Sequence, residues 1–293
     1  MKSPFPIHDY PFTPRRFQLA DGNCLSYLDE GQGPVVVMLH GNPTWSYFYR
    51  RLVLLLRRDH RVIVPDHLGC GLSDKPQNWP YRLADHIDNL DELLTGLDVG
   101  PCSLVVHDWG GAIGMGYALR HRSDIRSLVV FNTAAFRSPR IPTRIRLCRL
   151  PLLGPLLVRG LNAFAGAAIH MAVVRPMEKE VARAFLLPYN GWDNRIATLR
   201  FVQDIPLSPT DPSWPTLTKI EAGLPSLAAI PMLICWGGRD FCFNDHFYHE
   251  WQRRFPAARC HYIPEAGHYL LEDAFDEIAP PVAAFLMETV GPA

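Results

Sequence analysis

The run Leu104-Val105-Val106-His107-Asp108-Trp109-Gly110-Gly111-Ala112-Ile113-Gly114 limits the fold more than any other stretch of the chain. Ser103 to Val106 reads as a buried strand, and the glycines after Trp109 open a helix. A tight turn must join them. This is the setting of a nucleophile elbow, in which one side chain is lifted out at the top of a sheet. The lifted residue is Asp108, with Gly110 two places after it and Val106, not glycine, two places before. The bend also puts Asp108 at a helix N-terminus, where free N–H groups favour negative charge. An aspartate has an ordinary pKa of about 3.9 and is ionised at neutral pH. It can displace a leaving group from carbon directly and form an ester, whereas a serine needs a base beside it. The plainer reading is an aspartate that caps a helix after a buried strand, and the rest of the chain tells against it.

Before the elbow, Arg16–Leu19 and Cys24–Leu28 flank an Asp21-Gly22-Asn23 turn and read as a hairpin. Pro34–Leu39 and Arg61–Pro65 are short apolar runs that suit strands buried on both faces. A helix is expected from about Ser46 to Arg57 and another from Tyr81 to Leu97. The helix after the elbow runs to about Arg120, and Ile125–Phe131 is a further strand. From about Ala134 to Leu227 the chain is rich in Pro, Arg and apolar residues at helical spacing, which predicts an inserted helical cap. Strands resume at Pro231–Cys235 and Arg259–Ile263, with helices over roughly Asn244–Phe255 and to about Met287. The expected class is α/β: a mostly parallel central sheet flanked by helices. Its core is residues 1–133 and 228–293, with 134–227 as the cap.

The 293 residues are 48% hydrophobic, enough for a large core, and carry 29 basic and 29 acidic residues. That balance argues against a nucleic-acid partner. Seven scattered cysteines contain no CxxC and no zinc spacing, so no metal site is expected. Met1–Asp21 lacks the pattern of a signal peptide, and no apolar run is long enough to span a membrane. The expected location is cytoplasmic. Oligomeric state leaves no sign in the sequence.

Asp108, Asp240 and His268 each fall just past the carboxyl end of an expected strand. In open α/β sheets that edge binds ligands. Their chain order, nucleophile then acid then histidine, is the one α/β-hydrolases use. His268 would activate water on a covalent intermediate or shuttle a proton, and Asp240 would orient its ring. Taken singly, His268 could be a loop histidine bonded to backbone and Asp240 a helix N-cap. Three coincidences in the right order favour catalysis.

With the elbow, the segments HGNPTWS (40–46), PDHLGCGLSDKP (65–76), WGGRD (236–240) and EAGHYLLED (265–273) resemble the haloalkane dehalogenase branch of the α/β-hydrolase superfamily. The resemblance implies the α/β-hydrolase fold. It also implies halide- or oxyanion-stabilising donors at Trp109 and Asn42, and no cofactor. Some relatives carry the acid where Asn132 stands here; asparagine cannot ionise, which leaves Asp240. This combination is similar to the third dehalogenase subfamily. The segments Asn132–Phe136, Cys148–Gly154 and Phe201–Pro206 further resemble the β-lactone decarboxylases of bacterial olefin biosynthesis. The implied reaction converts long-chain cis-β-lactones to cis-olefins and CO2. The implied partners are a hydrophobic small molecule and, by pathway, other hydrocarbon-forming enzymes.

The nearest alternative is hydrolytic dehalogenation. Epoxide hydrolases usually carry an aromatic residue at the position of Asn42 and need two cap tyrosines, for which Tyr189 is one candidate. A hydrolase-fold protein that binds without turnover would have an incomplete triad. In the cap, Phe136, Phe164, Trp192 and Phe201 are candidate pocket wall, although aromatics at such positions are more often plain core. Arginines among Ile, Leu and Pro over Arg137–Arg159 suit either solvent, the favoured reading, or peripheral contact with a membrane or partner.

Overall fold

The computed structural model describes residues 7–289. Residues 1–6, which open the stretch read for a signal peptide, lie outside the described residues. Eight strands form one sheet: β1 Arg15–Gln18, β2 Cys24–Glu30, β3 Val35–Leu39, β4 Arg61–Pro65, β5 Cys102–Asp108, β6 Ile125–Thr133, β7 Met232–Gly237 and β8 Arg259–Ile263. They lie in the order β1-β2-β4-β3-β5-β6-β7-β8. From β4 through β3 and on to β8 every pairing is parallel, while β1 and β2 form an antiparallel hairpin at one edge. The apolar runs explain the order. Val36–Leu39 and Leu104–Val106 are fully buried, as only central strands covered on both faces can be. Each such side chain contributes about 1.5–3 kcal/mol on burial.

The helices that matter for the site are α1 Arg50–Leu56, α2 Leu83–Gly96, α3 Trp109–Arg120 and α4 Thr143–Cys148. Two begin later than periodicity suggests. Ser46–Tyr49 is a 3₁₀ turn ahead of α1, and the Ser46 N–H donates to Asp66 Oδ1 at 2.7 Å, which ties the turn to the loop after β4. Tyr81 takes φ +57°, outside the right-handed helical region, so α2 starts only after Arg82, whose N–H donates to Asp85 Oδ2 at 2.9 Å. The last expected helix divides into Leu270–Asp273 and Phe275–Thr289. Asp273 turns inward there and accepts N–H groups from Val174, Arg175 and Gly267.

Between β6 and β7 the described chain forms helices and turns and no strand. Pro142, Pro151 and Pro155 keep the first pieces short, α4 among them. Helices Ala163–Met171, Ile196–Asp204 and Trp214–Gly223 follow. Among the described residues no helix is long and apolar enough to cross a membrane.

Candidate active site

β5 carries the chain to Asp108 and α3 takes it away at once. Asp108 itself has φ +51° and ψ −125°, a conformation that costs a non-glycine residue about 1–3 kcal/mol. Two glycines make room for it. A Cβ at Gly110 would overlap the Leu39 carbonyl, and one at Gly41 would overlap the Asp108 carboxylate. The Thr133 hydroxyl, at the end of β6, donates to the Asp108 carbonyl and holds the bend from below.

The carboxylate is held from one side. The Asn42 N–H donates to Asp108 Oδ1 at 2.7 Å, and the Trp109 N–H also donates to the carboxylate. Oδ2 stands 3.6 Å from His268 Nε2. On the far side of the ring, His268 Nδ1–H donates to Asp240 Oδ2 at 2.7 Å. Asp240 Oδ1 accepts the N–H groups of Cys242 and Phe243 at 2.6 and 3.0 Å, so its orientation is set by backbone. All three side chains are buried.

Burial pushes the Asp108 carboxyl above its ordinary 3.8, against the opposing pull of His268 and the two N–H groups. For His268, burial works against the charged ring, but Asp240 and then Asp108 outweigh it and hold the pKa above 6.5. The pair is therefore a carboxylate beside an imidazole biased toward its cationic form.

A cavity of about 380 Å³ opens onto Asp108, Asn42, Trp109 and His268, and its wall is otherwise almost wholly apolar. Phe136 and Phe164 line it together with Ile145, Leu157 and Phe247. Phe201 does not. Its ring is buried between His86, stacked at 4.5 Å, and Trp109 at 5.1 Å, and it braces the indole from behind. Trp192 also stays out of the cavity; it is 48% exposed, with the Arg159 guanidinium 4.5 Å over its ring. Tyr189 is buried and donates its hydroxyl to the Thr44 carbonyl at 2.9 Å, so it offers no phenol to the cavity.

Two neutral side-chain donors, from Asn42 and Trp109, stand at the cavity. Asn42 Nδ2 gives one N–H to the Thr198 carbonyl at 3.1 Å; a carbonyl can only accept, which orients the amide and leaves the second N–H. The Trp109 indole N–H has no partner among the described residues. Neutral donors at an apolar wall bind developing negative charge well because water is excluded.

Sequence reasoning passed over the histidines that frame this arrangement. His107 Nε2–H donates to the His268 carbonyl at 2.9 Å, fixing the loop that bears the catalytic candidate. His40 Nδ1–H donates to the Gly41 carbonyl, and His40 Nε2 accepts the His67 N–H at 3.1 Å. The signal was a polar residue inside otherwise apolar strand ends. Burial lowers the pKa of His40, His67, His86 and His107, that of His67 to about 4.

These four rings are neutral when folded and titrate near 6.5 when unfolded. Their contribution is present above pH 6.5 and is lost as pH falls toward the folded values. His268 acts in the opposite sense, but it is one ring against these four and His60, whose pKa burial also lowers. Each ring that stays neutral in the fold costs about 1.4 kcal/mol per pH unit below 6.5, so stability should fall as pH drops through 6 toward 5. The melting temperature should be flat from pH 8 to 7 and drop steeply below 6. A flat profile down to pH 5 would mean the rings are not buried as described.

Residues 34–275 match the family model described as alpha/beta hydrolase fold. The chain is 50% identical over 286 residues to a cis-3-alkyl-4-alkyloxetan-2-one decarboxylase of Shewanella oneidensis, covering 95% of this chain and 90% of that one. It is 47% identical over 290 residues to a protein of the same name from Xanthomonas campestris pv. campestris, covering 94% and 97%. The crystal structure of a haloalkane dehalogenase from Bradyrhizobium elkani superposes with a TM-score of 0.89 at 26% identity, over 96% of this chain and 100% of that one. The chain belongs to the alpha/beta hydrolase fold family, on the branch that holds these decarboxylases and, further off, the haloalkane dehalogenases.

Proposed function

We propose that the chain is a β-lactone decarboxylase, converting cis-3,4-dialkyl β-lactones to cis-alkenes and CO2 with Asp108 as nucleophile. The observation that carries this reading is an apolar cavity ending on the Asp108 carboxylate, in a chain half identical to a decarboxylase of such lactones. Residues 134–227 serve as a cap over a core of residues 1–133 and 228–293, and the cavity draws its wall from both. Seven free cysteines suit a reducing compartment, consistent with a cytoplasmic site of action.

The chemistry selects the carbon attacked. Attack on the ring carbonyl would give an acyl ester, and its hydrolysis yields a hydroxy acid rather than an alkene. Attack at the sp³ ring carbon C4 leads to product. Asp108 Oδ2 bonds to C4, the C4–O bond breaks, and its electron pair stays on the ring oxygen, which becomes a carboxylate. In the second step the C3–CO2 bond supplies its pair to the new double bond. The C4–O bond to Asp108 breaks, its pair returns to the aspartate, and CO2 leaves. Inversion at C4 followed by anti elimination keeps both alkyl groups on one side, so a cis lactone gives a cis alkene. Neither step consumes water, a proton or a cofactor.

Trp109 Nε1–H and the second Asn42 N–H would bind the carboxylate released by ring opening; both residues line the cavity, and Asn42 spends only one N–H on Thr198, which supports that role. His268, oriented by Asp240, supplies positive charge beside the reacting oxygen. The test is to supply a cis-β-lactone with two long alkyl chains and quantify products by gas chromatography. Cis-alkene and CO2 in equal amounts are expected. Absence of alkene, together with ready bromide release from 1-bromoalkanes, would replace this reading with dehalogenation.

A further inference from the structure

Charge is unevenly spread along this chain. Between Ala134 and Met177 stand seven arginines and no aspartate, glutamate or lysine, although basic and acidic residues number 29 each overall. Three of the seven find carboxylates from outside the segment: Arg137 pairs with Glu221, Arg149 with Asp211 and Arg159 with Asp193. The guanidinium groups of Arg140, Arg144, Arg146 and Arg175 have no carboxylate partner among the described residues.

Exposed apolar residues gather in the same region. Seven of the eleven large hydrophobic residues that stand exposed among the described residues lie in this segment, from Leu147 to Val174, and Leu187 and Trp192 follow shortly after it. Leu152 is 91% exposed, Leu161 68% and Leu156 55%. Leucines this bare are costly in water, and their concentration in one segment favours a contact surface. The cavity opens here as well. Arg140, Arg144 and Leu147 are at once exposed and part of its wall.

We infer that this face, leucines and Trp192 flanked by unpaired arginines, docks on an anionic lipid surface with the cavity mouth turned toward the bilayer. Leucine and tryptophan beside arginine is the composition that seats at a headgroup boundary, the rings and methyls below and the guanidinium groups on phosphate. A second copy of the chain fits less well. A two-fold contact through this face would set arginines against arginines with no carboxylate in the segment to meet them. Docking would let a water-insoluble substrate or product pass between bilayer and cavity without crossing water. The vesicle contact needs no particular reaction, so it can fail while the lactone reading stands, and the reverse.

The experiment is flotation of the full chain with vesicles of phosphatidylcholine alone and of phosphatidylcholine with phosphatidylglycerol. Binding is expected to the mixed vesicles, weakened by added salt. Leu152→Glu with Leu161→Glu should weaken it by at least about tenfold, since two apolar side chains leave the boundary. Arg146→Glu with Arg175→Glu should abolish the preference for anionic vesicles. All four residues lie outside the cavity wall, so the melting temperature and the turnover of detergent-dispersed substrate should not change. Failure to float with either vesicle would overturn the inference, as would unchanged binding of the leucine variant. So would a dimer, seen by light scattering, that the leucine variant dissolves while vesicles remain unbound.

Discussion

Asp108→Ala should lower alkene formation by at least about 10⁴-fold, the scale on which loss of a covalent nucleophile is felt. The reason is geometric. Asn42 and Trp109 N–H groups hold one side of the carboxylate, and Oδ2 is the oxygen left facing the imidazole. Among the described residues no other carboxylate lines the cavity, so none stands ready to substitute. The fold should survive the change. Asp108 sits at φ +51° and is desolvated enough to raise its pKa, so the site stores strain that function requires. Asp108→Gly removes the side chain and the backbone strain together. It should be equally inactive yet melt no lower than the parent, and circular dichroism with gas chromatography checks both. An alanine variant that folds and still makes alkene at a tenth of the parent rate would end the nucleophile assignment.

The strand ends were legible because parallel central strands need unbroken apolar runs. Arg61–Pro65 and Arg259–Ile263 fall where the sequence places them, and the elbow strand extends by only a residue or two at each end. Asp108, Asp240 and His268 could be singled out because each follows such a run, and a parallel sheet delivers all its carboxyl ends to one edge, whereas Asn42 rested on the resemblance alone. The resemblance carried the same positions, and the relatives bear the resemblance out.

Within the helical segment the reading lost resolution, for a physical reason. A short helix shows which residues are apolar, not which neighbour claims each face. Phe201 is as apolar as Phe164, yet His86 and Trp109 take its ring into the core while Phe164 borders the cavity. Trp192 stands half exposed, with the Arg159 guanidinium over its face. Tyr81 defeated periodicity differently, through a positive φ that no side-chain pattern announces. His107 was visible as a polar residue at the end of an apolar strand, but its partner is a backbone carbonyl 161 positions away.

His268→Gln should separate two chemistries that share one nucleophile. Glutamine can still donate to Asp240, so that buried carboxylate keeps a partner and the fold should hold. A 1-bromoalkane that alkylates Asp108 leaves an ester that only water can clear, and the water needs a base. Without the imidazole that ester should persist, visible by intact mass spectrometry as one added alkyl group per chain. The β-lactone follows a different course. After attack at C4 the departing CO2 itself supplies the electrons that free Asp108, and no water is activated. Alkene formation should therefore continue, slowed by no more than about 10²-fold through loss of the positive charge beside Oδ2. The split is the informative result, because it tests the carbon attacked as well as the histidine. If lactone turnover stopped together with ester hydrolysis, His268 would have to move a proton in the decarboxylation. Attack at C4 followed by proton-free elimination would then be wrong, even with Asp108 still the residue that forms the bond.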